Sequence, residues 1–235
     1  MANGAAELQR AASCATIQLM RAPLARVLFP VGWLCAVIPY AHGGSSNAMA
    51  PLSATALVTQ LRHGGYVIVM RHPSSPLAPP DAQSADPQNL RRERQLDATG
   101  RDTARAMGNA IRALMIPIGE VLSSPAYRAR QAAELVGFAA ATQTPQLDEG
   151  SQGMQANADA SRAAWLREAV SRAPRAGTNT LLITHMPNLT AAFGDAAAHV
   201  AAGEALIFRP SGAGNAGLVA RLPIEEWPQL AASAR

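Results

Sequence analysis

YVIVMRH, the run from Tyr66 to His72, decides the fold of this chain. Its first five residues are aromatic, β-branched or otherwise apolar, with no polar alternation. That is the pattern of a strand covered on both faces, and it stops abruptly at an arginine and a histidine. Upstream, Ser53 is placed to cap a helix reaching about Arg62, and Gly64–Gly65 stop it. Downstream, Pro73, Pro76, Pro79, Pro80 and Pro87 break the chain into a long loop. A helix is expected from about Thr99 to Leu114, where Ala104, Met107, Ile111 and Leu114 recur at spacings of 3, 4 and 3. Glu120 to Ser123 reads as a short strand, and Ser124–Pro125 as the cap and first residue of a helix to about Phe138. Another helix is expected from about Ala158 to Arg172. TLLIT, Thr180 to Thr184, is a second buried strand, and Pro187 begins the helix after it. Leu206 to Arg209 and Leu218 to Leu222 flank a Gly-rich turn as a terminal hairpin, with Trp227 anchoring a short last helix. Strands alternating with helices imply an α/β fold, a three-layer sandwich whose central sheet is mostly parallel with helices on both faces. One domain over residues 51–235 accommodates it.

Composition narrows the partners. The chain has 235 residues, 49% of them apolar, which supplies a core without difficulty. All 20 basic residues are Arg against 16 acidic ones, a net charge of +4. Leaving out residues 1–50 leaves 17 Arg against 15 acids. No basic run is interleaved with aromatics, and Arg91, Arg92 and Arg94 flank Glu93 in what reads as a loop, so no nucleic-acid partner is expected.

Residues 1–50 form a separate segment. Arg21 and Arg26 precede an uncharged apolar run from Val27 to Ala41, about 15 residues against the roughly 20 of a membrane-spanning helix. Gly43, Gly44, Ser45, Ser46, Asn47 and Ala48 follow. Basic, then apolar, then small is the order of a secretory signal. Cleavage after Gly43 or Ala48 would leave a periplasmic or secreted domain with no stable membrane insertion; the alternative is a retained signal anchor. Cys14 and Cys35, the two cysteines, both lie in this segment, so the remaining domain has no thiol for disulfides, nucleophilic catalysis or metal binding.

Chemistry gathers where strands end. VIVMRHPSSP (Val67 to Pro76), VLSSPAYRARQAAEL (Val121 to Leu135) and LLITHMPNL (Leu181 to Leu189) each pass from an apolar strand into a polar, anion-seeking cluster. In open α/β sheets ligands bind beyond the carboxyl ends of the strands, so Arg71, His72, Arg128 and His185 are expected to share one crevice. Two guanidiniums offer forked donors that match phosphate oxygens, and helix N-termini after Ser124 and His185 add backbone N–H groups. A neutral imidazole among such cations can attack phosphorus, because like charge disfavours its protonated form.

Together these motifs resemble the histidine phosphatase superfamily, which includes cofactor-dependent phosphoglycerate mutases and many phosphatases. LRHGGYVIVMRH, SSPAYRARQAAEL and LITHMPNL stand in the family's order, and the resemblance covers essentially the whole chain after Pro51. It implies that His72 is the nucleophile that becomes phosphohistidine. Arg71, Arg128 and His185 would bind phosphate, with His185 also stabilising the transferring group. Ser75, three residues after His72, matches a phosphate-pocket serine of the mutases. Pro73 replaces the glycine that usually follows the nucleophile. Leu147, Glu149 and Gly153 fit the mutase-like L-x-E-x-x-x-G pattern, which makes Glu149 the proton donor and Asp148 its competitor. Met186 stands where the acid-phosphatase branch has an Asp, which disfavours that branch.

The resemblance implies a phosphomonoester hydrolase acting on a small phosphorylated substrate, without cofactor or metal. A phosphoglycerate-type mutase and a non-catalytic phosphosugar-binding protein are the competing classes. Arg62-His63-Gly64 spells the family's tripeptide but precedes the strand, and is read as a helix terminus. His199 is expected on an exposed helix, and Glu204 and Asp195 on the surface.

Overall fold

The computed structural model describes residues 53–138, 140–149, 156–212 and 214–234. The segment read as an export signal and Gly153 lie outside the described residues. Six strands form one sheet in the order β3-β2-β4-β1-β5-β6. They are β1 (Val67–Arg71), β2 (Ile118–Ser123), β3 (Thr142–Gln143), β4 (Asn179–Thr184), β5 (Ala205–Gly212) and β6 (Asn215–Leu222). β1, β2, β3 and β4 run parallel, and β5 and β6 form an antiparallel hairpin alongside β1.

β1 explains the layers. Ile68 and Met70 join the core beneath α1 (Ala54–His63), α2 (Ala98–Ala113), α3 (Tyr127–Val136) and α6 (Glu226–Ser233). Val67 and Val69 point the other way, with Leu166 and Val170 of α4 (Ala156–Ser171) and Leu189 of α5 (Met186–Phe193). Side chains alternate along a strand, so an unbroken apolar run needs a cover on each face. This is the expected three-layer sandwich. Ala104, Met107, Ile111 and Leu114 are all fully buried, and each of the larger three contributes roughly 1.5–3 kcal/mol by leaving water.

Caps set the helix limits. The Ser53 hydroxyl accepts from Ala56 N at 3.3 Å, and Gly64, at φ +77°, ends α1. Asp97 accepts from Gly100 N at 2.7 Å to start α2. The same Asp97 accepts the Ser74 hydroxyl at 2.6 Å, which pins the loop after His72 to the first turn of α2. A Cβ on Gly100 would run into the Ser74 carbonyl, so this close approach requires glycine.

Three expectations need correction. α3 begins at Tyr127 with Ala126 at its N-cap, not at Pro125. Ser124 still belongs to the sheet edge: its N–H donates to Ile183 O at 2.9 Å, and its hydroxyl serves Ala126 N and His185. The Glu93 carboxylate, arriving from the long loop, accepts from Tyr127 N at 2.9 Å at the start of the helix. His199 is exposed but stands in a turn at φ +56°, because the chain leaves its short 3-10 segment, Gly194–Ala197, before reaching it. Glu204 is buried rather than on the surface, held by Arg221 of β6. Asp195 is exposed as expected.

Candidate active site

β2, β4 and β1 are adjacent and parallel, so their carboxyl ends open side by side. Arg71 is level with Thr184 and Ser123 with Ile183. The ladder then continues one step: His72 N donates to Thr184 O at 2.9 Å. His72 and His185 consequently face each other, ring centroids 5.2 Å apart and planes at 62°. Arg128, on the second residue of α3, reaches between them.

Arg128 fixes the protonation pattern. Its Nε–H donates to His72 Nε2 at 3.1 Å, so that nitrogen carries the lone pair. The proton therefore sits on His72 Nδ1, which donates to Pro73 O at 2.8 Å. Proline at position 73 keeps the carbonyl that this contact uses. Arg128 Nη2 donates to His185 Nδ1 at 3.0 Å. His185 then donates from Nε2 to the Ser124 hydroxyl at 2.8 Å, and Ser124 in turn donates to Asp148 Oδ1 at 3.3 Å.

Both imidazoles stay neutral. Burial, assisted by the charges of Arg128, Arg71 and Arg94, lowers His72 to about 3 against the hydrogen bond to Pro73. Burial first, then Arg128, lowers His185 well below its ordinary value. His185 is fully enclosed, and His72 and Arg128 are each 5% exposed.

Glu149 sits between Arg128 and His185. One carboxylate oxygen accepts from Arg128 Nη2, and the other lies 3.5 Å from His185 Nδ1. Asp148 turns aside to accept from the Glu149 backbone N–H at 3.0 Å and from Ser124, 3.9 Å from His185 Nε2. The backbone here is anchored from below: Thr184 Oγ1 and Asn188 Nδ2 both donate to Leu147 O. Arg71, Arg128, His72, His185 and Glu149 are thus brought together. Ser75 is not drawn into this set of contacts, since its hydroxyl donates to Gln95 O at 2.8 Å.

Arg94 was not singled out in the sequence, yet its charge acts on His72 and His185. It is held by Pro76 O at 2.7 Å and Ser75 O at 3.3 Å, and burial and the neighbouring Arg128 charge lower its own pKa. The signal that could have located it is Leu96-Asp97: a buried apolar residue and a helix cap two and three positions on keep Arg94 close to the body. Guanidinium and imidazole groups gathered around one carboxylate leave a surplus of donors suited to a tetrahedral oxyanion.

Known proteins similar to the chain share its fold. The family model described as the histidine phosphatase superfamily (branch 1) matches residues 67–180, which span β1 and its Arg-His pair, Arg128 and Glu149. Over that span the chain resembles the histidine phosphatase superfamily. Among solved structures, it is similar to the protein histidine phosphatase SixA complexed with tungstate, at 23% identity over 68% of this chain and 98% of that one, TM-score 0.48. It is also similar to a phosphoserine phosphatase mutant from Entamoeba histolytica, at 12% identity over 68% and 98%, TM-score 0.46. Phosphoglycerate mutase from Thermus thermophilus follows at 18% identity over 67% and 98%, TM-score 0.45. No curated protein sequence matches.

Proposed function

We propose that this chain is an exported phosphomonoester hydrolase that works through a phosphohistidine on His72. The observation that carries the reading is the fixed tautomer of His72. Its proton is held on Nδ1 by Pro73 O, and its Nε2 lone pair is turned to Arg128 opposite His185. A phosphate ester entering here takes the donors of Arg128 and Arg71 onto its non-bridging oxygens. His72 Nε2 attacks phosphorus and the bond to the ester oxygen breaks; Glu149, having taken the proton of the monoanionic ester as phosphate displaces it from Arg128, passes that proton to the departing alkoxide. Water then attacks the phosphohistidine, giving up its proton to Glu149. The P–N bond breaks, and phosphate leaves with His72 restored. The guanidiniums of Arg71, Arg94 and Arg128 compensate the phosphoryl charge throughout.

The substrate is a small phosphorylated molecule. Export is supported by the order of Arg21 and Arg26, the apolar run Val27 to Ala41 and the small residues that follow. Rapid quenching after mixing with labelled p-nitrophenyl phosphate tests the chemistry: an acid-labile label on the peptide containing His72 is expected, with release of inorganic phosphate. With 3-phosphoglycerate added as acceptor, label that passes to it without net release of phosphate would make the chain a mutase. Phosphate binding with no label at all would make it a binding protein. Fractionation and N-terminal sequencing after expression in a bacterial host test export, with a mature chain beginning between Gly44 and Pro51 expected. Full-length protein retained in the cytosol would sink that part.

A further inference from the structure

Arg71 meets phosphate only if its guanidinium is held at one angle, and the contacts that hold it come from the far side of the site. Arg71 Nη1 donates to Val200 O at 2.8 Å and lies 3.7 Å from Met186 Sδ. Its Nε is buried and has no hydrogen-bond partner among the described residues. One end of the guanidinium is therefore committed to a backbone carbonyl, and the edge bearing Nε is left to other acceptors.

Val200 belongs to a turn that a buried carboxylate closes. Glu204 Oε2 accepts from Ala201 N at 2.8 Å, and Glu204 N donates to Ala201 O at 3.2 Å. Glu204 Oε1 accepts from Arg221 Nε at 2.7 Å, and Arg221 Nη1 reaches back to Ala198 O at 3.1 Å. The backbone of the same turn lies along the phosphate-site strand: Arg71 N donates to Glu204 O at 3.1 Å, and Gly203 N donates to His72 O at 3.2 Å. Gly203 stands at φ +79°, and a Cβ there would come within 2.7 Å of Ile224, so the turn has little room to shift. Burial would push the Glu204 carboxyl up, but hydrogen bonds from Arg221 and Ala201 and the Arg221 charge hold it below the usual carboxylate range. The pair is thus ionised and ties β6 to both ends of the turn.

We propose that the Glu204–Arg221 pair is a positioning device for Arg71: it fixes the 198–204 turn, whose Val200 carbonyl aims the Arg71 guanidinium at the phosphoryl oxygens. The inference rests on the phosphomonoesterase reading for its consequence, but the orientation of Arg71 can be measured independently. Neither Glu204 nor Arg221 touches substrate in this scheme; both act through Val200.

Three variants test it: Arg221→Ala, Arg221→Lys and Glu204→Gln. In each, kcat and KM for p-nitrophenyl phosphate and competitive inhibition by inorganic phosphate are measured, together with the side-chain Nε–H resonance of Arg71, assigned through Arg71→Lys. In Arg221→Ala and Glu204→Gln, KM and the phosphate inhibition constant should rise together by about tenfold, the loss of one charge-assisted hydrogen bond's worth of alignment. kcat should stay within about threefold, and the Arg71 resonance should broaden or gain mobility. Arg221→Lys, which keeps the charge beside Glu204, should recover most of the phosphate affinity. A lower melting temperature with unchanged KM, phosphate inhibition and Arg71 resonance would overturn the proposal and leave the pair a purely structural one. Should Arg221→Ala not fold, Glu204→Gln is judged by the same readings. A wild-type protein that neither turns over nor binds phosphate would overturn the functional reading instead, while an Arg71 resonance equally ordered in all variants would overturn the positioning role.

Discussion

Two Arg-His pairs flank the same strand, and they have opposite fates. Arg62 and His63 close α1 at the amino edge of the sheet. Arg62 Nε donates to Leu114 O at 2.7 Å, tying α1 to the end of α2, and His63 is exposed. Arg71 and His72 lie at the carboxyl edge, where Arg71 still pairs with Thr184 and His72 is buried beside His185 and Arg128. The residues are alike; what meets them differs. At the amino edge, β1 is joined by Asn179, whose side chain accepts from Tyr66 N and donates to Leu61 O, which is scaffolding. At the carboxyl edge, β2 and β4 arrive in parallel and the Ser124 hydroxyl meets His185, which assembles the candidate site. A parallel sheet gives its two edges different company, and only one edge gathers several strand ends with their following helices.

The comparison breaks most visibly at the proposed nucleophile. His72→Ala should reduce turnover by at least about 10³-fold and abolish the acid-labile phosphoenzyme. His63→Ala should leave both within about twofold, since His63 lies exposed at the opposite edge of the sheet. Label recovered on a peptide containing His63 would reverse the assignment and with it the reading of the sheet edges.

A smaller effect divides the carboxylates. Glu149→Gln should slow hydrolysis of alkyl phosphates by about 10² to 10⁴, and that of p-nitrophenyl phosphate far less, because its leaving group needs little protonation. Asp148→Asn should cost less on the alkyl substrates than Glu149→Gln does, its oxygen being occupied by Glu149 N and Ser124. Equal losses on both substrate types would place Glu149 in binding rather than proton transfer.

Acid sharpens the contrast through stability. His72 and His185 are both depressed from 6.5, His72 to about 3, with burial the main cause in each. Below 6.5 the unfolded chain takes up protons that the native site refuses. Stability is therefore full above about pH 6.5 and falls as pH drops below it, the His72 part continuing to about pH 3 with a slope of up to about 1.4 kcal/mol per pH unit. Urea unfolding at a series of pH values should show this slope, and His72→Asn should make it shallower. An unchanged slope in that variant would mean that His72 is not held neutral.

The smallest expected effects lie at the other pair. Arg62→Ala should cost about 1 kcal/mol of stability through the lost bond to Leu114 O, and His63→Ala no more than that, both without change in turnover. A loss of activity in Arg62→Ala at full stability would show that the amino edge takes part in function.

The sheet, its layers and the edge that carries the site were all legible in residues 51–235. Tyr66 to Met70 and Thr180 to Thr184 have no polar face, so each demands helices on both sides, and the polar clusters just beyond them mark the open ends. Arg71, His72, Arg128 and His185 could be named from that alone. What the linear chain could not express is which atom faces which. Ser124 looks like a helix cap by residue type, yet its bond to Ile183 O holds it just past the end of β2 and leaves its hydroxyl to His185 and Ala126 N. Ser75 has the right spacing, but Gln95 O, 20 residues away, takes its proton. Arg94 reads as a solvated loop charge until the burial of Leu96 brings it beside the imidazoles. Glu204 reads as surface until β6 places Arg221 over it. Sequence periodicity reports burial, which is an average over a face, and so it fixes the sheet and its direction. Hydrogen bonds are pairwise and directional, with partners up to 129 residues apart, and only the packed chain chooses them.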